Sequence, residues 1–468
     1  MHLKTDETKE NRERYKIFFI IYFLFMVGIA FLRTPDLRNE LKYFLITDQM
    51  LTTKNFVILG YFNELYPDKP PIYFWLLGII RSISKDSFYP LALIFGSIIP
   101  AMITGVLGFK IFKLYWSEKM AYLSLAIFIT LPYLLGISLV LRMDYLMTAF
   151  IFGALYIFFK SYSEKDKKKI SLQNIFLIYL FIALGVLIKG GAAIVIPVLT
   201  ILTFLYLDRN LKYLKNIKPL FGIGVIFSVL GLWFLLILNL PNGKEYASLL
   251  LGRETIGRVV KAKTHTRPIY YYIKNLIFTA LPLTPFLVRG SINSIKNIKL
   301  RHKWKLVDKI SLSLFLPNLL FFSLVSGKLD IYLLPLYYGI VVISLRFIEH
   351  EWSGTKESIC KKILYINVGI GILCAVALPY YNKNYTLNDT IQILKGNTQK
   401  VYSYRFNDAK NIITEIDKTS LDDLPLDELY KINEGELLVA RKKYYKDIPL
   451  QNFKEIYSNK EYIILIRE

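Results

Sequence analysis

RTPDLRNELKYFLITDQMLTTKNFVILGYFNELYPDKPPIYFW, residues 33–75, is the polar, charged and aromatic stretch around which an otherwise apolar chain is arranged. It follows an apolar run at 17–32, carries Asp36, Glu40 and Asp68, and ends in an Asp-Lys-Pro-Pro turn at 68–71. Proline fixes its own φ and pushes the residue before it towards extended backbone. The turn therefore reads as an entry into the apolar stretch 72–83. A loop of this length and polarity, delivered by a membrane-length helix, reads as the roof of a site at the membrane surface.

Outward from that loop the composition is that of a polytopic membrane protein. Of 468 residues 54% are hydrophobic, and mean hydropathy is +0.38. Apolar segments long enough to cross the hydrocarbon recur along the chain. The net charge of +23 does not point to nucleic acid, because Lys and Arg gather in short loops between apolar segments, where they set orientation. Residues 381–468 balance 14 basic against 14 acidic residues, so the whole excess belongs to the membrane part. Two cysteines, Cys360 and Cys374, one at a basic loop and one in an apolar segment, build neither a disulfide framework nor a thiolate metal site. The run 17–32 lacks a small-residue cleavage signature and reads as a retained helix.

Charge orders the topology. Residues 1–16 read as a cytoplasmic tail. Eleven crossings are expected at 17–32, 88–109, 121–137, 145–160, 176–188, 192–207, 220–240, 269–288, 310–325, 332–347 and 363–380, with every strongly basic loop inside. The stretch 72–83 is left as an interfacial or re-entrant helix, because a further span there would reverse every later loop. The expected fold is thus an all-α polytopic membrane domain (17–380) with interfacial helices in the first external loop (33–87) and a second large external loop at 241–268. A small extracytoplasmic α/β domain (381–468) follows. In that tail 400–406, 435–445 and 461–468 have strand character, and 408–416 and 426–432 look helical.

This topology collects one set of side chains on the external face: Asp36, Glu40, Lys42, Asp68 and Lys69 from the first loop, then Arg142, Asp144 and Lys189. His265, Arg267, Lys328 and Tyr332 follow. Cations on that face run against the orientation bias and ask for a local cause. Lys and Arg converging with carboxylates suit a site that holds a phosphate, stabilises charge as it leaves, and takes the proton of an attacking hydroxyl. Each residue alone has a plainer reading, as a cap, an interfacial ion pair or a snorkelling helix end; their convergence on one face favours the site.

At PDKPPIYFW, with RNELKY upstream, the chain resembles the GT-C superfamily of integral-membrane glycosyltransferases, and within it the lipid A aminoarabinose transferases and protein O-mannosyltransferases. The resemblance covers most of 15–380. It rests on the order of an acidic motif before a tyrosine (Glu40 to Tyr43), Asp68-Lys69-Pro70-Pro71, Asp144, the pair Lys189-Gly190, and Ser326, Lys328, Tyr332 and Pro335. It implies an inverting transfer of a sugar from a polyprenyl-phosphate donor to a hydroxyl or phosphate of a lipid or protein acceptor, at the extracytoplasmic face of the plasma (inner) membrane. Lys69 would bind the donor phosphate with Arg267, Lys328 and Tyr332. Lys42, Tyr43, Arg142 and Lys189 would complete the substrate site, and Asp144 would orient sugar or acceptor. The family's first-loop motif is Asp-Glu; here it is Asn39-Glu40, which leaves the base to Glu40 or to Asp36 one helical turn earlier. Some members hold a divalent metal through a carboxylate and a histidine; Asp68 and His265 correspond, with zinc, magnesium or manganese as the ion. The competing readings are a transporter or flippase for a lipid-linked glycan and a non-catalytic membrane scaffold.

Overall fold

The computed structural model describes residues 2–62, 64–164, 170–252 and 265–468. Part of the expected loop 241–268 and of the basic loop after Ser163 lies outside them. The first helix, His2–Leu32, runs through the polar tail without a break. Among the described residues eight helices, from Arg12–Leu32 to Lys356–Tyr385, are long and apolar enough to cross a membrane. A ninth span is added if Glu118–Thr130 and Pro132–Ser138, bent by 61°, count as one. Two further expected crossings fall on shorter elements. One is Ala192–Leu207; the other is broken into Tyr271–Thr279 and Thr284–Lys296. The helix Pro219–Leu238 packs one side on Tyr179 through Gly222 and exposes Leu220, Ile223, Phe227, Leu232 and Leu235, an apolar face that only lipid or another apolar surface can cover. Ile72–Ile83 has 12 residues; at 1.5 Å per residue it reaches about 18 Å, short of the roughly 30 Å hydrocarbon.

Packing between the spans is close. The ring of Tyr338 stacks on Phe112 with centroids 5.4 Å apart and lies where a Cβ on Gly108 would stand, 2.1 Å away. Only glycine lets the two helices meet there. On the basic face, Arg346 grips Asp308 through two hydrogen bonds of 2.6 and 3.0 Å, and the buried Lys309 donates to Asp208 at 2.7 Å.

The long loop folds as two helices and a hairpin. Glu40–Thr53 packs on Ile72–Ile83: Tyr43 meets Tyr73 and Phe74 edge-on at 6.0 and 5.4 Å, and Arg81 holds Asp48 bidentately at 2.8 and 3.0 Å. Between them β1 (Gly60–Tyr61) pairs antiparallel with β2 (Glu64–Leu65).

After Lys356–Tyr385 the chain forms the helix Asn388–Lys395 and a five-stranded mixed sheet, order β4-β3-β5-β7-β6. Its strands are β3 (Val401–Tyr404), β4 (Asp422–Leu424), β5 (Leu437–Arg441), β6 (Phe453–Ser458) and β7 (Tyr462–Arg467). β3 runs parallel to β4 and β5; β7 is antiparallel to β5 and β6. The expected strands are present. The helical character expected at 408–416 and 426–432 appears only as 3-10 turns, Asn407–Ile412 and Leu426–Lys431. β4 escapes sequence reading because Asp422 and Asp423 are residues that strands disfavour.

The sheet domain is seated on the first loop. Arg38 pairs with Asp408 at 2.9 Å. Asn411 accepts from the Tyr61 hydroxyl at 2.6 Å and donates to the Leu37 carbonyl at 3.0 Å. Asn382 donates to the Leu32 carbonyl at 2.6 Å.

Candidate active site

The site is built at the ends of spans. Asp144 opens the helix Asp144–Ser163, where the positive end of the helix dipole favours a carboxylate. Lys189 closes Leu172–Lys189, where a cation is favoured. Gly190 follows at φ +104, a turn that suits glycine, which accounts for the Lys-Gly pair. Asp144 is 1% exposed; it accepts from Lys189 in a short contact and from Arg142 at 3.4 Å. Lys189 also lies 5.0 Å from the centroid of the Tyr332 ring. Beside Tyr332, a single β-bridge joins Thr266 to Gly327. Through it the Lys328 N–H donates to the His265 carbonyl at 3.0 Å, and the Lys328 ammonium donates to the carbonyls of Arg267 and Val325 at 3.0 and 2.5 Å. Lys328 is 2% exposed, and among the described residues it has no carboxylate partner. Burial holds its ammonium below the usual lysine range.

Tyr43 ties this cluster to the first loop. Its phenol is pushed up to about 12, chiefly by burial, in a field shared by Arg142, Asp144, Asp68 and Glu40. Asp68 and Lys69 enter from the turn, with the Lys69 ammonium 3.1 Å from the Asp68 carbonyl. The Asp68 carboxylate, half-buried, makes no hydrogen bond or ion pair among the described residues. The structure therefore brings together Tyr43, Asp68, Lys69, Arg142, Asp144 and Lys189, with Tyr332, Lys328 and Arg267 adjoining them.

Three predicted residues stand elsewhere. Lys42 lies 4.6 Å from the ring centroids of both Tyr61 and Tyr66 and so faces the β1–β2 hairpin. Asp36 is exposed, accepts from the backbone and side-chain N–H groups of Asn39 at 2.9 and 3.2 Å, and is one of the charges that act on the Tyr462 phenol of the sheet domain. His265 is exposed at φ +59 and contributes its backbone. Among the described residues no three His, Cys, Asp or Glu side chains are placed to hold a metal. Asp68 and His265 alone offer two donors, fewer than the three or four protein ligands of a zinc site.

Glu40 is neither exposed nor free: it is 0% exposed. Arg33 donates to both of its oxygens at 2.9 Å, the backbone N–H of Leu141 and of Asp36 donate at 2.6 and 2.5 Å, and the Tyr89 hydroxyl donates at 3.2 Å. Burial raises its carboxyl above the ordinary range, while Arg33 and the two N–H groups work the other way. These donors use the roughly four lone-pair sites of a carboxylate. Glu40 is thus a keystone joining the first helix, the loop helix and the turn at 139–143. That turn is also held from Ser97, which donates to the Val140 carbonyl at 2.6 Å. Ser97 sits in a single π turn, Ile94–Ile98, inside the span Phe88–Lys113; such turns recur beside functional sites. Sequence reading missed Arg33, Tyr89 and Ser97. Arg33 carried a usable signal, a cation at the end of the first span facing against the orientation bias; the other two carried none.

Comparison with known proteins bears on the fold and the family resemblance. Residues 68–234 match the family described as dolichyl-phosphate-mannose-protein mannosyltransferase. The undecaprenyl phosphate-alpha-4-amino-4-deoxy-L-arabinose arabinosyl transferase 1 of Proteus mirabilis is 26% identical over 392 residues, 82% of this chain and 69% of that protein. The corresponding Erwinia tasmaniensis transferase is 24% identical, over 78% of this chain and 64% of its own length. In fold, ArnT from Cupriavidus metallidurans bound to undecaprenyl phosphate superposes with a TM-score of 0.71 at 12% identity, covering 96% of this chain and 97% of that one.

The chain thus resembles the GT-C superfamily of membrane glycosyltransferases in sequence and fold. The oligosaccharyltransferase of Archaeoglobus fulgidus shares this chain's fold more distantly, with a TM-score of 0.54 at 13% identity, over 92% of this chain and 66% of that one. The expected all-α membrane domain with a small C-terminal sheet domain is the fold observed.

Proposed function

We propose that this transferase moves a sugar from a polyprenyl-phosphate donor to a hydroxyl or phosphate of a lipid or protein acceptor at the extracytoplasmic face of the plasma membrane. The observation that carries the reading is the pair of cations, Arg142 and Lys189, on the buried Asp144, with Tyr43 linking them to Asp68 beside Lys69, and Tyr332 against Lys189 linking them to the Arg267–Lys328 segment. The basic loops lie on the opposite face, which orientation bias puts in the cytoplasm.

In this reading the donor phosphate lies against Lys69, Arg267 and Lys328, with Tyr332 beside them. As the acceptor oxygen attacks the anomeric carbon, the bond to the phosphate oxygen breaks and the leaving phosphate gains charge. Fixed cations favour that charge more than the ground state. Asp144 is held between two cations, so it orients groups and does not take a proton. A hydroxyl acceptor needs a base, and Asp68 is the cluster's carboxylate with no hydrogen-bond or ion-pair partner among the described residues. A phosphate acceptor is already ionised and needs none. Asn39 in place of an acid suits that second case.

The test is native mass spectrometry of detergent-purified wild type and Lys69→Ala after addition of undecaprenyl phosphate. Retention by wild type with loss in Lys69→Ala, both proteins melting alike, is the expected result. Equal retention by both removes the phosphate cradle and the reading with it.

A further inference from the structure

The sheet domain holds a crevice of about 630 Å³ lined by Tyr404, Arg405, Asp423, Leu424, Pro425, Leu426 and Asp447. It stands at the carboxyl ends of the parallel strands β3 and β4, with Asp447 supplied by the segment after β5. Carboxyl ends of parallel strands are where open α/β sheets receive ligands, because the chain leaves each strand there in loops free to vary.

Four features of the lining point to an occupant. Tyr404 is 2% exposed, and its hydroxyl makes no hydrogen bond among the described residues. Tyr404 lines the crevice, and its hydroxyl is open to solvent there, not sealed in the core, so a bound molecule can reach it. Asp423, an exposed residue, spends one oxygen on the Ser403 hydroxyl at 2.7 Å and the Phe406 N–H at 2.9 Å, leaving the other open to the crevice with no donor among the described residues. Arg405 stands at φ +50, a conformation side chains rarely adopt and one that gathers at functional positions. Its guanidinium is fixed by Asp447 at 3.1 Å and packs 5.3 Å from the Tyr444 centroid.

Two carboxylates against one guanidinium disfavour a phosphate or other anion. A phenol, a free carboxylate oxygen and a guanidinium beside aromatic and aliphatic surface suit vicinal hydroxyls on an apolar ring face. We infer that this crevice binds sugar hydroxyls of a neutral or amine-bearing glycan, and, resting on the function proposed above, that the glycan belongs to the acceptor. Its position fits: the segment leaving β3, Asn407–Ile412, is the one that grips the catalytic loop through Asp408 to Arg38 and Asn411 to Tyr61 and Leu37. A glycan held in the crevice lies against the part of the domain that touches that loop.

The experiment uses the full chain in a detergent without a sugar headgroup, so that the micelle does not compete. Saturation-transfer NMR is recorded with chitobiose and with its de-N-acetylated, amine-bearing form. Tyr404→Phe keeps the ring and removes the hydroxyl; Asp423→Asn keeps an oxygen for Ser403 and Phe406 and turns the crevice-facing oxygen into a donor. Wild type is expected to bind one or both sugars, and each substitution to weaken binding about tenfold, the worth of one good hydrogen bond. Absence of transfer to either sugar at about 10 mM, ten times a millimolar dissociation constant, overturns the proposal, as does equal binding by wild type and both variants. Undecaprenyl phosphate binding, measured alongside, is expected to be unchanged in Tyr404→Phe. If Lys69→Ala retains that lipid, the catalytic reading falls and the sugar data still decide the crevice.

Discussion

Replacing Glu40 by Gln separates a keystone from a base. The substitution keeps the shape and one carbonyl oxygen, which can still take the Leu141 N–H and one arm of Arg33. The new NH2 faces the Asp36 N–H, formerly 2.5 Å from an acceptor, and two donors cannot satisfy each other. Leaving one buried N–H unmade costs about 1–3 kcal/mol. Arg33, 18% exposed, loses its counter-charge; breaking a buried pair costs about 3–5 kcal/mol, discounted here because solvent reaches Arg33. About 3 kcal/mol is the expected total. The assay is thermal unfolding in detergent together with transfer measured well below the melting transition. Glu40→Gln is expected to melt markedly earlier yet keep measurable transfer while folded. The paired variant Arg33→Met with Glu40→Leu is expected to lose less stability than the two singles added together, since no charge is then stranded. A Glu40→Gln protein that melts like wild type but transfers nothing refutes the reasoning and returns Glu40 to the role of base.

Asp144→Asn should remove the carboxylate that faces Lys189 and Arg142 and destabilise by about 3 kcal/mol, with transfer falling further than the loss of folded protein accounts for; melting curves and initial rates measured on the same preparation decide. Asn411→Ala removes two contacts between the sheet domain and the loop and should cost about 1–2 kcal/mol. It should lower kcat while leaving the dissociation constant for undecaprenyl phosphate unchanged, and a change confined to that constant counts against it. Because burial lowers the Lys328 pKa, its charge should be lost on the alkaline side before that of an exposed lysine. In that window the unfolded chain binds more protons, so this group's contribution to stability rises with pH while lipid-phosphate binding falls. Lys328→Arg should keep binding across the same window, read as dissociation constants against pH.

Much of the frame was legible because membranes impose simple rules. Span length, basic loops and the polarity of residues 33–75 followed from hydropathy and charge. Acids and cations that break the pattern marked Asp68, Lys69, Arg142, Asp144 and Lys189 before any coordinates. What stayed hidden depended on distances that no local pattern encodes. Glu40 and Asp36 are one helical turn apart, yet one is sealed under Arg33 and the other turns towards the sheet domain. Nothing in LVLRMDYL says that its backbone is held from a π turn 45 residues earlier. The crossing at 269–288 read as continuous because its apolar content is continuous; the break falls at Ala280–Leu283, where Pro282 removes a helical donor.

Framework and chemistry meet at adjacent residues. Leu141 gives its N–H to Glu40, and Arg142, next in the chain, gives its guanidinium to Asp144. A change in the keystone therefore moves a site cation through one peptide unit, and a misplacement of about 1 Å can cost about 100-fold in rate. Rate loss on mutating either carboxylate thus identifies no catalytic group by itself. The discriminating quantity is the response at Asp68: Asp68→Asn touches no protein hydrogen bond, so it should leave melting unchanged. If it slows transfer to a hydroxyl acceptor but not to a phosphate, Asp68 is the base. If it slows both alike, its role is electrostatic. If it slows neither, Asp68 takes no part in the transfer.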